Sequence, residues 1–185
     1  MQTRINLLKS RTYWSMSLKL KRGVWTYILE PLVRWLPKFA SPLRVSLLRL
    51  MGASIGKRCL IMPGVKVLMP WNLMISDYVV LGEMVNVYNF APVKIETMTV
   101  VSQNCFLCTG SHNYRLPEMP LTYFPITIGS ECWIAAGVFI APGVSIADGV
   151  VVGAMSVVPK SITEPWSIHA GNPCLYRGKR TMQPD

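Results

Sequence analysis

From Ile55 to about Ile162 the chain returns to an aliphatic residue every six positions. The longest unbroken run is Ile128, Ile134, Ile140, Ile146, Val152 and Val158. Two positions before each stands a small or apolar residue: Ile126, Cys132, Val138, Val144, Val150 and Ser156. Earlier the period comes in threes, Ile55, Ile61, Val67, then Ile75, Leu81, Val87, then Ile95, Val101, Leu107. Each break adds two residues, so equivalents there recur every twenty. A helix repeats at 3.6 and a half-buried strand at 2, and neither sustains a count of six.

A repeat of this length decides the architecture. It predicts an all-β solenoid, a left-handed parallel β-helix with three flat sides, one hexapeptide to a side. Each inward aliphatic residue would stack on its equivalent in the next coil, roughly 4.8 Å away. Short strands of an antiparallel sandwich are the competing arrangement, but a sandwich has no reason to keep one count through so many turns. A solenoid does, because each repeat buries its apolar face only against its neighbours. Gly56, Gly82, Gly129 and Gly153 directly follow their aliphatic residues, and Gly64, Gly137, Gly143 and Gly149 fall three after, where tight turns are expected.

Three segments result: a basic aromatic leader with short helices at 1–54, the β-helix at 55–162, and a basic tail at 163–185. Within the leader, Val24, Trp25, Ile28, Leu29, Leu32 and Leu36 recur at helical spacing, with a kink or break expected at Pro31. Residues 1–22 read as an extended or partly disordered arm. Ser41-Pro42 opens a short helix whose stripe is Leu43, Leu47, Leu48 and Leu50, ended by Gly52 and placed to cap the solenoid. The six-step count lapses once, between Leu107 and Ile128, so residues 109–125 are expected to leave the coil as a projecting loop.

The net charge of +10 is unevenly distributed. Residues 1–58 hold twelve Lys or Arg against the single Glu30; the remainder is nearly neutral. Such a leader suits nucleic acid, an anionic membrane or an acidic partner. No nucleic-acid module follows it, and interleaved Trp14, Trp25, Tyr27, Trp35 and Phe39 fit a membrane interface, making residues 1–40 a candidate peripheral membrane contact. A solvated face on capping helices is the plainer alternative. There is no apolar run of eighteen and no secretory pattern after Met1, so a cytoplasmic protein is expected, in contact with the inner face of the membrane if the leader binds lipid.

Five cysteines form no disulfide framework, and Cys105 sits at the small inward position before Leu107, which favours a packed thiol over a redox pair with Cys108. Two histidines cannot supply a three-imidazole zinc site, so no metal is expected. His112 stands at the root of the projecting loop, where chemistry is commonly carried on a rigid scaffold. A neutral imidazole there suits proton removal from an attacking alcohol. An isolated histidine is otherwise structural or merely exposed, and His169, near the end of the coils, is read as packed or hydrogen-bonded. Asn86 and Asn89 lie about one coil earlier and could bind an acceptor hydroxyl. Lys160 and the tail from Arg177 to Arg180 could attract phosphates, or simply make a soluble terminus.

Several runs resemble the hexapeptide-repeat acyltransferases, and within them the acetyltransferases of exopolysaccharide biosynthesis of the colanic acid type. They are Met51-Gly-Ala-Ser-Ile-Gly56, Pro70-Trp-Asn-Leu73, Tyr88-Asn-Phe-Ala-Pro-Val93, Leu107-Cys-Thr-Gly-Ser-His112, Trp133-Ile-Ala-Ala-Gly137 and Ala170-Gly-Asn-Pro173. The resemblance implies a homotrimer with active sites between subunits, acetyl-CoA as donor, and a sugar or lipid-linked saccharide as acceptor. It implies His112 as the catalytic base, Ala136 and Ala154 along the pantetheine arm, Lys160 and Arg177 near the CoA phosphates, and Asn89 near the acceptor. Departures are Ser76, Glu96 and Ser102 where glycine is usual, and Met84, Met98 and Met155 where shorter or polar residues are usual. Transfer to serine or another small acceptor, and a non-catalytic β-helical assembly protein, remain as alternatives.

Overall fold

The computed structural model describes residues 4–10 and 12–183; the first three residues and Arg11 of the leader, and the last two of the tail, lie outside the described residues. Its centre is a parallel β-helix of five complete turns and part of a sixth. The first face stacks Ser54–Ile55, Leu73–Ile75, Val93–Ile95, Ile126–Ile128 and Ser145–Ile146. The second stacks Leu60–Ile61, Val80–Leu81, Val100–Val101, Trp133–Ile134, Val151–Val152 and Ser167–Ala170. The third stacks Lys66–Val67, Asn86–Tyr88, Phe106–Cys108, Phe139–Ile140 and Val157–Val158.

The register is the six-step series made solid. Ile55 lies beside Ile75, Ile75 beside Ile95, Ile95 beside Ile128 and Ile128 beside Ile146, and the other two faces stack likewise. All fifteen series residues from Ile55 to Val158 are buried in one continuous core. The coil runs past Ile162, the expected end of the β-helix: Ser167–Ala170 adds a strand to the second face, and Leu175–Lys179 folds back on it antiparallel.

Three residues after the aliphatic residue, the backbone enters the left-handed region at Arg58, Tyr78, Met84, Met98, Asn104, Glu131 and Met155 as well as at glycines. That explains the methionines where shorter residues are usual. A side chain at such a corner points outward, and Met84 and Met155 lie over Gly64 and Gly137 of the preceding coil, whose missing Cβ would collide with their sulfur atoms. Ser76 and Glu96, two other departures, face each other across coils, Ser76 Oγ donating to the Glu96 carboxylate at 2.7 Å.

The leader is more ordered than an extended arm. Helix α1, Met16–Val24, is capped by Ser15, whose hydroxyl accepts from Leu18 N–H. It runs through one π turn, Trp25–Leu29, into α2, Glu30–Trp35. Pro31 explains the π turn: its ring would clash with the carbonyl four residues back, so the preceding turn widens and Glu30 N–H donates to the Trp25 carbonyl.

Helix α3, Ser41–Leu50, caps the first coil as expected but with a different inner face. Ser41, Arg44, Val45 and Leu48 are buried, whereas Leu43 and Leu50 are exposed. Ser41 Oγ accepts from Ile61 N–H on the coil rather than capping its own helix. The fully buried Arg44 guanidinium donates to the carbonyls of Val33, Leu36, Pro37 and Ile61, tying α2, α3 and the coil together.

Candidate active site

The segment expected as a loop is mostly a hairpin. Gly110–His112 pairs antiparallel with Leu121–Tyr123, His112 opposite Leu121 and Gly110 opposite Tyr123. It rises from the edge between the third face, which ends at Cys108, and the first, which resumes at Ile126. Opposed residues on paired strands share a side, so His112, Leu121, Gly110 and Tyr123 line one side of the hairpin. That side meets Phe90: Phe90 stacks on Tyr123, and a Cβ at Gly110 would come within 2.9 Å of the Phe90 ring.

His112 is exposed, and its Nδ1 lies 2.7 Å from the Met119 carbonyl oxygen in the hairpin turn. A carbonyl only accepts, so Nδ1–H donates and the neutral ring keeps its free lone pair on Nε2. Nothing in the sequence pointed to Met119, because the group that orients the ring is a main-chain oxygen. A left-handed φ of 42° at Met119 shapes that turn.

Leu121 also walls a cavity of about 450 Å³. The leader closes it from outside with Thr12, Tyr13, Trp14, Ser15 and Leu18; Trp71, Asn72 and Phe90 form its floor, and Pro120 and Tyr123 complete the hairpin wall. Asn6 N–H donates to the Pro117 carbonyl, fastening the leader to the hairpin turn. The aromatic residues support one another, with Trp14 and Tyr88 each edge-on to Phe90.

Asn89 is not at this cavity's surface. It is fully buried, its Oδ1 accepting from Met69 N–H at 2.9 Å and its Nδ2 donating to Met69 O at 2.8 Å. Both ends of the amide are used in joining two coils, which corrects its expected place as an acceptor contact. Cys108 is likewise buried, its Sγ donating to Gly110 O, and burial pushes its thiol above the ordinary range. Burial raises Cys105 to about 11, as befits a packed thiol. His169 Nε2 donates to Ser167 Oγ, whose own hydroxyl donates to Glu164 O, and burial lowers the imidazole pKa.

The residues expected around the donor fall on two edges of the prism. Ala136 and Ala154 turn the chain from the second face to the third, and Arg177 donates to Ala170 O beside Gly171, the next residue in that column. Lys160 lies exposed between Val158 and Ile162, on the edge that carries the His112 hairpin. Arg180 is occupied elsewhere: Nη1 donates to Glu131 O and Gly149 O, and the guanidinium covers Trp166. Within one chain, the third face separates the imidazole from the Ala136 edge. No group of three or more metal-ligating side chains occurs among the described residues.

The chain belongs to the hexapeptide-repeat acetyltransferases. The family described as bacterial transferase hexapeptide (six repeats) matches residues 125–160, the uninterrupted part of the six-step series. The chain is 41% identical over 161 residues to WcaF of Escherichia coli K12, which carries the name of a colanic acid biosynthesis acetyltransferase; the match covers 87% of this chain and 88% of WcaF. In structure it resembles a maltose O-acetyltransferase from Clostridium difficile 630, with a TM-score of 0.82, 25% identity, and 95% and 96% of the two chains covered. It also resembles a galactoside acetyltransferase in complex with coenzyme A, with a TM-score of 0.77, 27% identity, and 92% and 86% covered.

Proposed function

We propose that the protein transfers an acetyl group from acetyl-CoA to a sugar hydroxyl, in assembly of a surface polysaccharide or exopolysaccharide. The observation that carries the reading is the His112 ring, fixed through Nδ1 by the Met119 carbonyl, on the hairpin that walls an aromatic cavity. Aromatic walls with a few polar groups suit a sugar ring. The names of the maltose, galactoside and colanic acid relatives support the same acceptor class, and the coenzyme A complex supports the donor.

In the reaction His112 Nε2 takes the proton of the acceptor hydroxyl as its oxygen attacks the thioester carbonyl. A main-chain N–H bordering the donor groove stabilises the oxyanion. The C–S bond then breaks, and the departing thiolate takes the proton back from the imidazolium. Ala136 and Ala154 border the pantetheine arm, with Arg177 and Lys160 near the phosphates.

The active unit in this reading is a homotrimer. Its support is the outward ladder of the second face, Leu60, Val80, Val100, Trp133, Val151 and Ile168, apolar in every coil. A closed ring of copies sets one copy's Ala136 edge against the next copy's His112 edge, which completes a site that a single chain leaves divided. Acetyl-CoA places the reaction on the cytoplasmic side.

The test is an acceptor panel of free sugars, phosphate-linked and lipid-linked saccharides, and serine, incubated with acetyl-CoA while thiol release and product mass are read. A sugar ester is expected, and His112→Ala should lower turnover by about 10²- to 10⁴-fold while leaving assembly intact. Near-normal turnover in that variant, or no thiol release across the panel, would defeat the reading.

A further inference from the structure

The helix that closes the cavity has a second apolar face turned away from the protein. Trp25 and Val33 are buried against the coil, and Trp25 Nε1 donates to Val67 O at 2.7 Å. On the opposite side Met16, Leu20, Val24, Ile28, Leu32 and Trp35 recur at steps of three or four through α1, the π turn and α2, with Tyr27 beside Ile28. They form one outward stripe. Exposure is 71% at Leu20, 83% at Tyr27, 58% at Ile28 and Leu32, and 69% at Trp35, and Phe39 extends the row at 86%. Lys19, Arg22, Arg34 and Lys38 are interleaved with it in sequence, while Lys21 turns inward over Trp71, and Glu30 is the one acidic residue of the leader.

A second feature lies at the cavity's mouth. A smaller groove shares Thr12, Trp14, Phe90 and Leu121 with the cavity and adds Lys19 and Arg22. The Arg22 guanidinium lies 3.6 Å over the Trp14 ring, and its buried Nε has no hydrogen-bond partner among the described residues.

Resting on the acetyl-transfer reading, we propose that this helix lies in the plane of an anionic phospholipid surface, and that Lys19 and Arg22 receive the phosphate of a lipid-carried saccharide whose sugar enters the aromatic cavity. Three features run in the order of such an acceptor: an apolar stripe for the bilayer, a cationic groove for the phosphate, an aromatic chamber for the sugar. The charge of the leader selects an anionic surface, since a helix with an exposed apolar stripe and basic flanks binds in the interface by combining both attractions. Trp35 and Tyr27 are side chains that favour the headgroup level, and Phe39 adds to the apolar face. The same helix spans both functions: Leu18 faces the cavity while Leu20 faces outward.

The test compares vesicles of phosphatidylcholine alone with vesicles containing phosphatidylglycerol. The full chain should sediment with the anionic vesicles and be released by salt. Replacing Tyr27, Leu32 and Trp35 together by Ser, all exposed and outside the transfer site, should weaken that binding about tenfold or more. Turnover with a vesicle-borne, phosphate-linked saccharide should fall with it, while turnover with a water-soluble sugar stays unchanged. Lys19→Gln should raise KM for phosphate-linked acceptors and leave that for plain sugars. Quenching of wild-type tryptophan fluorescence by brominated lipid gives a readout that needs no variant. Absence of vesicle binding or of quenching, or full binding by the triple variant, overturns the proposal. So does a change of oligomeric mass in that variant, which would assign the stripe to a second copy, or preference for a free nucleoside-diphosphate sugar over the lipid-carried one. The transfer reading survives any of these results, since it fails only when no thiol is released across the acceptor panel or when His112→Ala turns over at a near-normal rate.

Discussion

Two polar side chains, one in the hairpin and one in the coil, differ in whether their hydrogen bonds leave a group free for chemistry. His112 uses one nitrogen for a main-chain carbonyl and keeps the other free. Asn89 uses both ends of its amide for Met69 and keeps nothing. Asn89→Ala should therefore act on stability: it leaves the buried Met69 N–H unpaired and takes one of two donors from the Met69 carbonyl, which keeps Asn72 N–H, at a cost of about 1 to 3 kcal/mol. Chemical denaturation should show that loss while KM for the acceptor stays near the wild-type value. A raised KM with unchanged stability would restore Asn89 to the acceptor site. The projection that carries His112 was legible because the strict repeat has its one long lapse there. The burial of Asn89 was not, since a corner residue's side chain turns inward or outward according to the coil above and below it. Met119 left no trace in residue type, because every residue carries a carbonyl.

The elements divide in the same way. The strands could be read almost residue for residue, because an inward position in a parallel stack meets its own equivalent and nothing else. The helices of the leader could not be read so closely. Their apolar residues face two ways, and the leucines expected inside α3 include Leu43 and Leu50, which are exposed, while Arg44 is fully buried. An arginine is rarely assigned to a core from sequence, yet the carbonyls of Val33 and Leu36 at the end of α2 and of Ile61 on the first coil take their donor from it, and Pro37 O takes a second beside Ala40 N–H. Burial lowers its pKa, but the group stays charged throughout the working range of a protein. Arg44→Met keeps much of the volume and removes every donor, so the loss should be about 3 kcal/mol. Faster hydrogen exchange should appear in α2 and α3, with the middle coils unchanged. A variant as stable as the parent would show that these carbonyls find other donors.

At the scale of the molecule, the repeat makes a stiff prism and the departures from it wall the cavity. The hairpin fills the lapse after Leu107, the leader folds over it, and the two enclose the cavity. Ala136, Ala154 and Arg177 lie on an edge that the same chain's imidazole does not share, so in the proposed reaction each site draws on two copies. The most direct measurement mixes two inactive variants. His112→Ala removes the base, and Ala154→Trp obstructs the donor edge at an exposed corner. Dissociated, mixed in equal amounts and reassembled, they should regain about one quarter of wild-type turnover, because in a closed ring one interface in four pairs an intact imidazole with an intact donor edge. Turnover no greater than that of either variant alone, in trimers shown by mass to be mixed, would place the whole site within one chain and contradict the account.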